Sequence, residues 1–143
     1  MIISGDNACL ACIHYNPSKV REILINKEKK GNYSKVIEKN NLFKITKFIE
    51  KQEIQKIDKD NLRQSNDIII RREDYSPSSL KDICSSNKGN SIIVALDQLT
   101  DHNNLGNIIR TCLLMGVSGI IIPEHSSASI TGSTANTSAG AIE

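Results

Sequence analysis

The spacing of apolar residues along the first half of the chain predicts alternating helices and strands. Asp6 is a typical helix-capping residue, Pro17 ends a helical pattern, and Ile68 to Ile70 form an unbroken apolar run. The predicted elements are a helix over 6–16, a strand over 20–25, a helix over 34–41, a strand over 43–46, a helix over 47–60 and a buried strand over 68–70. This alternation predicts a small α/β domain with helices packed on a sheet.

The second half has a sharper pattern. Residues 91–96 and 119–122 are continuous apolar runs of the kind found in strands that are buried on both faces. Between them lies a helix that Asn103 or Asn104 caps and that Gly116 ends. Its apolar side consists of Leu105, Ile108, Ile109, Cys112 and Met115. Strand, helix and strand in about thirty residues predict a right-handed βαβ unit, with candidate ligand-binding residues in the loop that follows the first strand.

Between these halves the pattern is lost. Residues 73–90 gain Ser, Pro and Asn, and only a short stretch over 80–83 looks helical. We therefore predict a first domain over 1–72, a linker over 73–90 and a second domain over 91–143.

Charge separates the same two halves. Residues 1–90 carry 17 Lys or Arg against 12 Asp or Glu, whereas residues 91–143 carry one against four. The first domain is therefore able to approach a polyanion. A lysine-rich solvated surface over 27–59, in which interspersed acids weaken the field, is the alternative.

Length and composition exclude several classes of protein. With 143 residues and no apolar run of about 20, the chain predicts neither a spanning helix nor a large multidomain assembly. Four cysteines and no signal peptide indicate a reduced, cytoplasmic protein without membrane association. Cys9 and Cys12, one helical turn apart, are expected to be small buried residues and not half of a zinc site. Few aromatic residues argue against a base-stacking platform.

Polar residue types concentrate in the loop over 97–107. Asp101, His102, Asn103, Asn104 and Gly106 surround one predicted helix start. Free backbone amides at a helix start favour an anion. No Gly-x-Gly-x-x-Gly or Gly-Lys-Ser/Thr motif is present, so a conventional dinucleotide or ATP site is disfavoured.

Arg110 is the only basic residue after Lys88. Two interpretations are open. Arg110 either extends to the surface or pairs with Asp97, Asp101 or a later acid, or it is a cation that acts electrostatically at a site poor in water. His102 and His125 have no ligand-type neighbours at metal-binding spacing, so no metal is expected. The Ser- and Thr-rich residues 126–138 lack a matched base and predict a polar loop, followed by a helix start at 137–140.

Three segments taken in order resemble the SpoU family of RNA ribose 2′-O-methyltransferases. They are Asp101-His102-Asn103-Asn104-Leu105-Gly106-Asn107-Ile108-Ile109-Arg110-Thr111, Gly116 to Pro123, and Thr137-Ser138-Ala139-Gly140-Ala141-Ile142-Glu143. The first domain, from Gly5-Asp6-Asn7-Ala8, is similar to the small α/β substrate-binding domain of that family. Within it, the 23S ribosomal RNA guanosine methyltransferases are the most similar.

The resemblance implies methyl transfer from S-adenosylmethionine to an RNA ribose hydroxyl by a homodimer with a trefoil-knot domain. Asn104 and Arg110 fall on the first family motif and Glu143 on the acid that ends the next one, so these three are the candidate catalytic residues. The resemblance implies that Arg110 activates the 2′-hydroxyl. Because a guanidinium keeps its proton at neutral pH, we expect it to stabilise the developing alkoxide and not to act as a base. Glu143 would then orient Arg110 or a dimer contact.

The sequence departs from the family pattern in three places. His102 stands where a proline is expected, and Arg63-Gln64-Ser65 stands where the family has His-Gln-Gly. The third departure is that the cofactor-binding segments and the knot of the family are expected downstream of Glu143. No cofactor-binding residue is therefore assigned, and the 143 residues alone are expected not to bind S-adenosylmethionine.

Three functional interpretations therefore remain at this point: part of a methyltransferase, a non-catalytic module that contacts ribosomal or transfer RNA through phosphates, and a fragment that fails to fold because its sheet edges are exposed.

Overall fold

The computed structural model describes residues 1–59, 66–86 and 91–143, which form two compact units. The first contains Met1–Glu73 together with Glu143, and the second contains Asp74–Ile142. The segment Arg63-Gln64-Ser65, where the sequence departs from the family pattern, lies outside the described residues.

Four strands and three α-helices build the first unit within the described residues. In chain order they are β1 (Ile2–Ser4), α1 (Asp6–Tyr15), β2 (Val20–Asn26), α2 (Lys30–Lys39), β3 (Thr46–Ile49), α3 (Lys51–Ile57) and β4 (Ile68–Arg72). The sheet order is β1-β4-β2-β3, with β2 and β3 parallel and the other pairs antiparallel.

Alternation along the two central strands places their apolar side chains on both faces of this sheet. Leu24 and Ile69 pack against Ile54 of α3. Their neighbours Ile23, Ile25, Ile68 and Ile70 point to the opposite face and are fully buried. Both faces of the central strands are therefore covered, as expected for a sheet between helices.

Helix α1 confirms the interpretation of the cysteine pair. Cys9 and Cys12 are both fully buried, and the Cys9 thiol lies 3.7 Å from the carbonyl oxygens of Ile3 and Ile68. The predicted cap is wrong: Gly5, at φ 86°, precedes the helix and no side chain caps it. Asp6 instead accepts a hydrogen bond from the Tyr33 hydroxyl at 2.8 Å.

Element boundaries in the first unit differ from the predicted ones. Helix α2 starts at Lys30 rather than at residue 34, and the predicted strand over 43–46 is a 3₁₀ turn that leads into β3 at Thr46. The helix expected over 47–60 is limited to α3, because its first residues pair with β2. Strand β1 was not predicted, since three residues are too few to show a period.

The second unit contains the predicted βαβ arrangement. Its elements are α4 (Leu80–Ser86), β5 (Ile93–Ala95), α5 (His102–Leu114), β6 (Gly119–Ile121) and α6 (Gly132–Thr137). Strands β5 and β6 are parallel, with Val94 opposite Ile120. Leu105 and Ile109 of α5 form a core with Ala128 and partly buried apolar residues.

Two expectations for this unit are wrong. Ile93 and Val94 are only half-buried and Ala95 is exposed, because β6 is the only strand that pairs with β5 among the described residues. Met115, expected on the apolar side of α5, is 74% exposed because it follows the last helical residue. Gly116 has φ 69° and provides the predicted left-handed exit.

Candidate active site and nucleic-acid interface

The start of α5 is capped by Asp101, not by Asn103 or Asn104. The Asp101 Oδ1 atom accepts hydrogen bonds from the backbone amides of Asn103 at 2.6 Å and Asn104 at 3.4 Å. A carboxylate of the chain itself therefore occupies the position where the sequence predicted an external anion. The local sequence offers several capping residues in succession, and only the helix register decides among them.

Hydrogen bonds connect the loop before α5, and the first residue of α5, to the segment that follows β6. The Nδ1 atom of His102 lies 2.9 Å from the Ser129 carbonyl oxygen, and because that oxygen can only accept, Nδ1 carries the proton. The Leu99 carbonyl accepts from the Ala128 amide at 2.5 Å and from the Ser127 hydroxyl at 3.2 Å. Gln98 adopts a left-handed backbone at φ 52°, which is strained for a residue with a side chain.

Helix α6 packs directly on the first two turns of α5. A capping box between Thr131 and Thr134 starts α6, and it ends at Thr137. The helix start that the sequence predicted at 137–140 is therefore wrong, because the capping residue lies six positions earlier. Gly106 of α5 allows this contact, since a Cβ atom there would lie 2.8 Å from the Thr134 carbonyl oxygen.

Arg110 lies on the third turn of α5 with its side chain exposed. Within the described ranges 1–59, 66–86 and 91–143, no carboxylate lies within ion-pair distance of its guanidinium. Pairing with Asp97 or Asp101 therefore does not occur in the structure, whereas the exposed side chain agrees with the interpretation that Arg110 reaches the surface. The guanidinium is therefore available to an external partner.

Asn104 is also exposed and lies on the same helix, six residues before Arg110. At 100° per residue, six residues place the two side chains about 120° apart around the helix axis. Asn103 lies seven residues before Arg110, and this spacing places the two side chains within about 20° of each other around the helix axis. Helix α5 thus aligns Arg110 with Asn103, which the sequence indicated only as a possible cap.

Glu143 belongs to the first unit, whereas Asn104 and Arg110 belong to the second. Its side chain is 1% exposed, and its Oε1 atom lies 2.5 Å from Nη1 of Arg72, which is itself buried. The Asn16 amide nitrogen donates to Oε2 at 2.9 Å and to the Glu143 carbonyl oxygen at 3.1 Å. Both carboxylate oxygens are therefore engaged by residues of the first unit.

Burial also determines the chemistry of the neighbouring thiol. Nη1 of Arg72 lies 3.8 Å from Sγ of Cys12. Burial, with a further contribution from Glu143, raises the pKa of Cys12 to about 12. The thiol therefore stays protonated at neutral pH and is not a nucleophile.

The first unit has both paired and unpaired cations on its surface. Several of its cations form exposed ion pairs, such as Lys47 with Glu22 at 2.7 Å and Lys19 with Glu73 at 2.9 Å. Lysines on and around α2 are exposed and have no ion pair within the described part of the chain: Lys29, Lys30, Lys35, Lys39 and Lys44. Lys30 lies 5.0 Å from the centre of the Phe48 ring.

Membrane-spanning helices and metal clusters are both absent from the residues that the structure describes. There, no helix has the length and hydropathy needed to cross a membrane. In the same residues, no group of three or more His, Cys, Asp or Glu side chains is placed to hold a metal ion.

Comparison with known proteins finds relatives among RNA methyltransferases. The SpoU rRNA Methylase family model matches residues 91–143. The 23S rRNA (guanosine-2′-O-)-methyltransferase RlmB of Acinetobacter baylyi is 42% identical over 57 residues, which are 40% of this chain and 23% of that protein. A putative TrmH family tRNA/rRNA methyltransferase of Staphylococcus aureus is 46% identical over 56 residues, covering 39% of this chain and 23% of that protein.

A longer match includes part of the first unit. An uncharacterized tRNA/rRNA methyltransferase of a Mycobacterium species is 31% identical over 94 residues, which are 65% of this chain and 30% of that protein. These matches span about a quarter of the length of the curated relatives.

A solved structure matches nearly the whole chain. The AdoMet-bound rRNA methyltransferase from Sinorhizobium meliloti superposes with a TM-score of 0.66 at 21% identity, covering 99% of this chain and 50% of that one. At this level of identity the match shows the fold, and it confirms the predicted mixed α/β architecture with parallel strand pairing. Residues 91–143 therefore match the SpoU rRNA methylase family in sequence.

Proposed function

We propose that these residues are part of an RNA ribose 2′-O-methyltransferase that acts on a guanosine of 23S ribosomal RNA. The observation that carries the proposal is the exposed guanidinium of Arg110, which has no acidic partner among the described residues and lies on the helix that bears the family motif. The similarity to RlmB over 57 residues supports the choice of substrate.

Arg110 would act electrostatically. As the ribose 2′-hydroxyl loses its proton to water, the guanidinium donates hydrogen bonds to the oxygen and stabilises its negative charge. Arg110 cannot accept the proton itself, because a guanidinium stays charged in proteins. S-adenosylmethionine, the methyl donor implied by the family, would supply the electrophilic methyl group.

Asn104 and Glu143 take different parts in this proposal. Asn104 is an exposed residue of the first family motif, and its proposed role is to contact the substrate. Glu143 is retained as an anchoring residue, because Arg72 and Asn16 engage both of its carboxylate oxygens. Its proposed contribution is to fix the end of its motif through these two contacts.

No residue of the chain is proposed to hold S-adenosylmethionine. The start of α5 does not fit the carboxylate of that cofactor, because Asp101 already occupies the free amides of the helix. A second negative charge at the same position would be repelled. In this proposal the residues of the chain bind and orient the RNA.

The unpaired lysines around α2 would provide phosphate contacts to the RNA. They also favour a second candidate function, a module that binds RNA without catalysis. The two functions differ in one measurement, since both predict RNA binding and only the first predicts methyl transfer.

The test measures methyl transfer from labelled S-adenosylmethionine to 23S ribosomal RNA, using the complete reading frame that carries these residues. Arg110→Ala should lower the turnover by about 100-fold or more, the usual cost of one lost oxyanion donor, with little change in RNA affinity. A Lys35→Ala, Lys39→Ala double variant should weaken RNA binding and reduce its salt dependence while turnover at saturation persists.

Each alternative has its own outcome. Wild-type turnover in Arg110→Ala contradicts the role given to Arg110. RNA binding without any methyl transfer by the parent protein favours the non-catalytic module.

A further inference from the structure

Asn103 has an amide side chain whose orientation is set by α6. Its Oδ1 atom accepts hydrogen bonds from the hydroxyl groups of Ser133 at 3.2 Å and Thr137 at 3.0 Å. Because both hydroxyls donate to the oxygen, the amide nitrogen with its two N–H groups is directed away from them. The residue is exposed, so this nitrogen is a pre-oriented donor at the surface of α5.

This donor lies in line with Arg110. Seven residues separate the two along α5, which places them within about 20° around the axis and about 10 Å apart along it. Asn107, also exposed, lies between them, one turn after Asn103. The outer side of α5 therefore presents a row of hydrogen-bond donors that ends at the guanidinium.

The chemistry of this row identifies its ligand. The amide nitrogen of Asn103 only donates in the orientation that α6 imposes, and the guanidinium of Arg110 only donates. The carboxylate of Asp101, which precedes α5, is already engaged by the backbone amides that it caps. A ligand with acceptor oxygens fits such a row, and in RNA these are the backbone phosphate oxygens that flank each ribose.

We propose that Asn103 binds a backbone phosphate of the substrate RNA next to the ribose held at Arg110, and that Thr137 and Ser133 are positioning residues that orient the Asn103 amide. This inference rests on the proposed function and extends it to a residue outside the candidate catalytic set. Asn103 fixes the strand, whereas Arg110 acts on the 2′-oxygen.

The decisive variant is Asn103→Asp. A carboxylate keeps the acceptor for the Thr137 and Ser133 hydroxyls but removes the donor and adds negative charge. If Asn103 binds phosphate, Asn103→Asp should weaken RNA binding by about tenfold or more, and more than Asn103→Ala does. If Asn103 only links the two helices, Asn103→Asp should bind like the parent, and that result would overturn the proposal.

The positioning role has a matched pair of variants. Thr137→Val removes the hydroxyl but keeps the side-chain shape that packs against Gly106. It should weaken RNA binding several-fold by releasing the Asn103 amide. Thr111→Val, which removes an exposed hydroxyl bonded to the Asn107 carbonyl on the same helix, should leave RNA affinity unchanged.

Nuclear magnetic resonance separates this inference from the proposed function. A short single-stranded oligoribonucleotide is titrated into the 143-residue chain, and the signals of the Asn103 side-chain amide and the Arg110 Nε–H group are followed. Both signals should shift together. A shift at Arg110 without one at Asn103 overturns this inference alone, whereas no shift at either residue overturns the proposed function as well.

Discussion

Gly106 of α5 and Thr137 of α6 pack so closely that a Cβ atom on residue 106 would lie 2.7 Å from the Cβ atom of Thr137. The Thr134 carbonyl oxygen and the Ser138 amide nitrogen would lie 2.8 Å and 3.1 Å away. Backbone atoms cannot rotate out of the way as a flexible side chain can. The glycine of the family motif is therefore required here for packing between two helices.

Gly106→Ala is expected to destabilise the second unit. The added methyl group must push α6 away from α5, and overpacking of this kind costs about 1–3 kcal/mol. The free energy of unfolding, measured with urea, tests this. Gly31→Ala is the matched control. Gly31 lies in α2, and a methyl group added there would have no atom within 4 Å. Replacing this helical glycine should therefore stabilise the chain by about 0.5–1 kcal/mol. Equal effects of the two substitutions would contradict the packing role.

Breaking the buried pair of Arg72 and Glu143 is expected to be costly. Glu143→Leu leaves the buried guanidinium of Arg72 without this carboxylate, and removing one partner of such a pair costs about 3–5 kcal/mol. Adding Arg72→Met to Glu143→Leu should recover most of the loss, because two apolar side chains need no charge partner.

Lys19→Ala is the control for this pair. Lys19 and Glu73 form an exposed ion pair, so its loss should cost less than about 1 kcal/mol. Chemical denaturation of the single and double variants measures these differences. A Glu143→Leu variant as stable as the parent would show that the carboxylate is not an anchor.

Alkaline pH should destabilise the first unit through its buried thiols. The Cys12 thiol ionises near pH 9.0 when exposed, but burial raises its pKa to about 12 in the folded chain. Burial also raises the pKa of Cys9 well above its ordinary value. Between pH 9 and 12 the unfolded chain has therefore lost protons that the folded chain still holds. The free energy of unfolding should fall across this window and be unaffected by these thiols below it.

Comparison of two alanine variants isolates this effect. Cys12→Ala should lose less stability than the parent between pH 9 and 12, because one of the titrating groups is gone. Cys84→Ala should follow the parent, since the Cys84 thiol is exposed in the folded chain. Urea unfolding at a series of pH values provides the measurement, and identical pH profiles for parent and Cys12→Ala would refute the assignment.

Part of the architecture could be predicted because its signals are local. The apolar stripe of α5, the left-handed exit at Gly116 and the buried faces of β2 and β4 each follow from residues close together in the chain. The burial of Cys9 and Cys12 follows in the same way from a one-turn spacing on α1. The resemblance to the SpoU family also rests on contiguous motifs, and the family model matches the segment that carries them.

Other features could not be predicted, because several arrangements satisfy the same local pattern. Asp101, Asn103 and Asn104 are all good capping residues, and the register of the α5 helix selects Asp101. The strand at 91–96 looks fully buried from its composition, yet its exposure depends on which strands pair with it. Helix α6 starts at a capping box in a Ser- and Thr-rich stretch, where many residues could cap a helix and the sequence does not distinguish among them.

The sequence by itself determined the βαβ unit, the similarity of residues 91–143 to the SpoU family and the choice of Asn104, Arg110 and Glu143 as candidates, because hydrophobic periodicity and short motifs are encoded by neighbouring residues. Only the tertiary structure decided that Glu143 is buried against Arg72 and that Ser133 and Thr137 orient Asn103. These contacts join residues 30 to 71 positions apart. No local pattern specifies such pairs, since they form only when helices and strands pack.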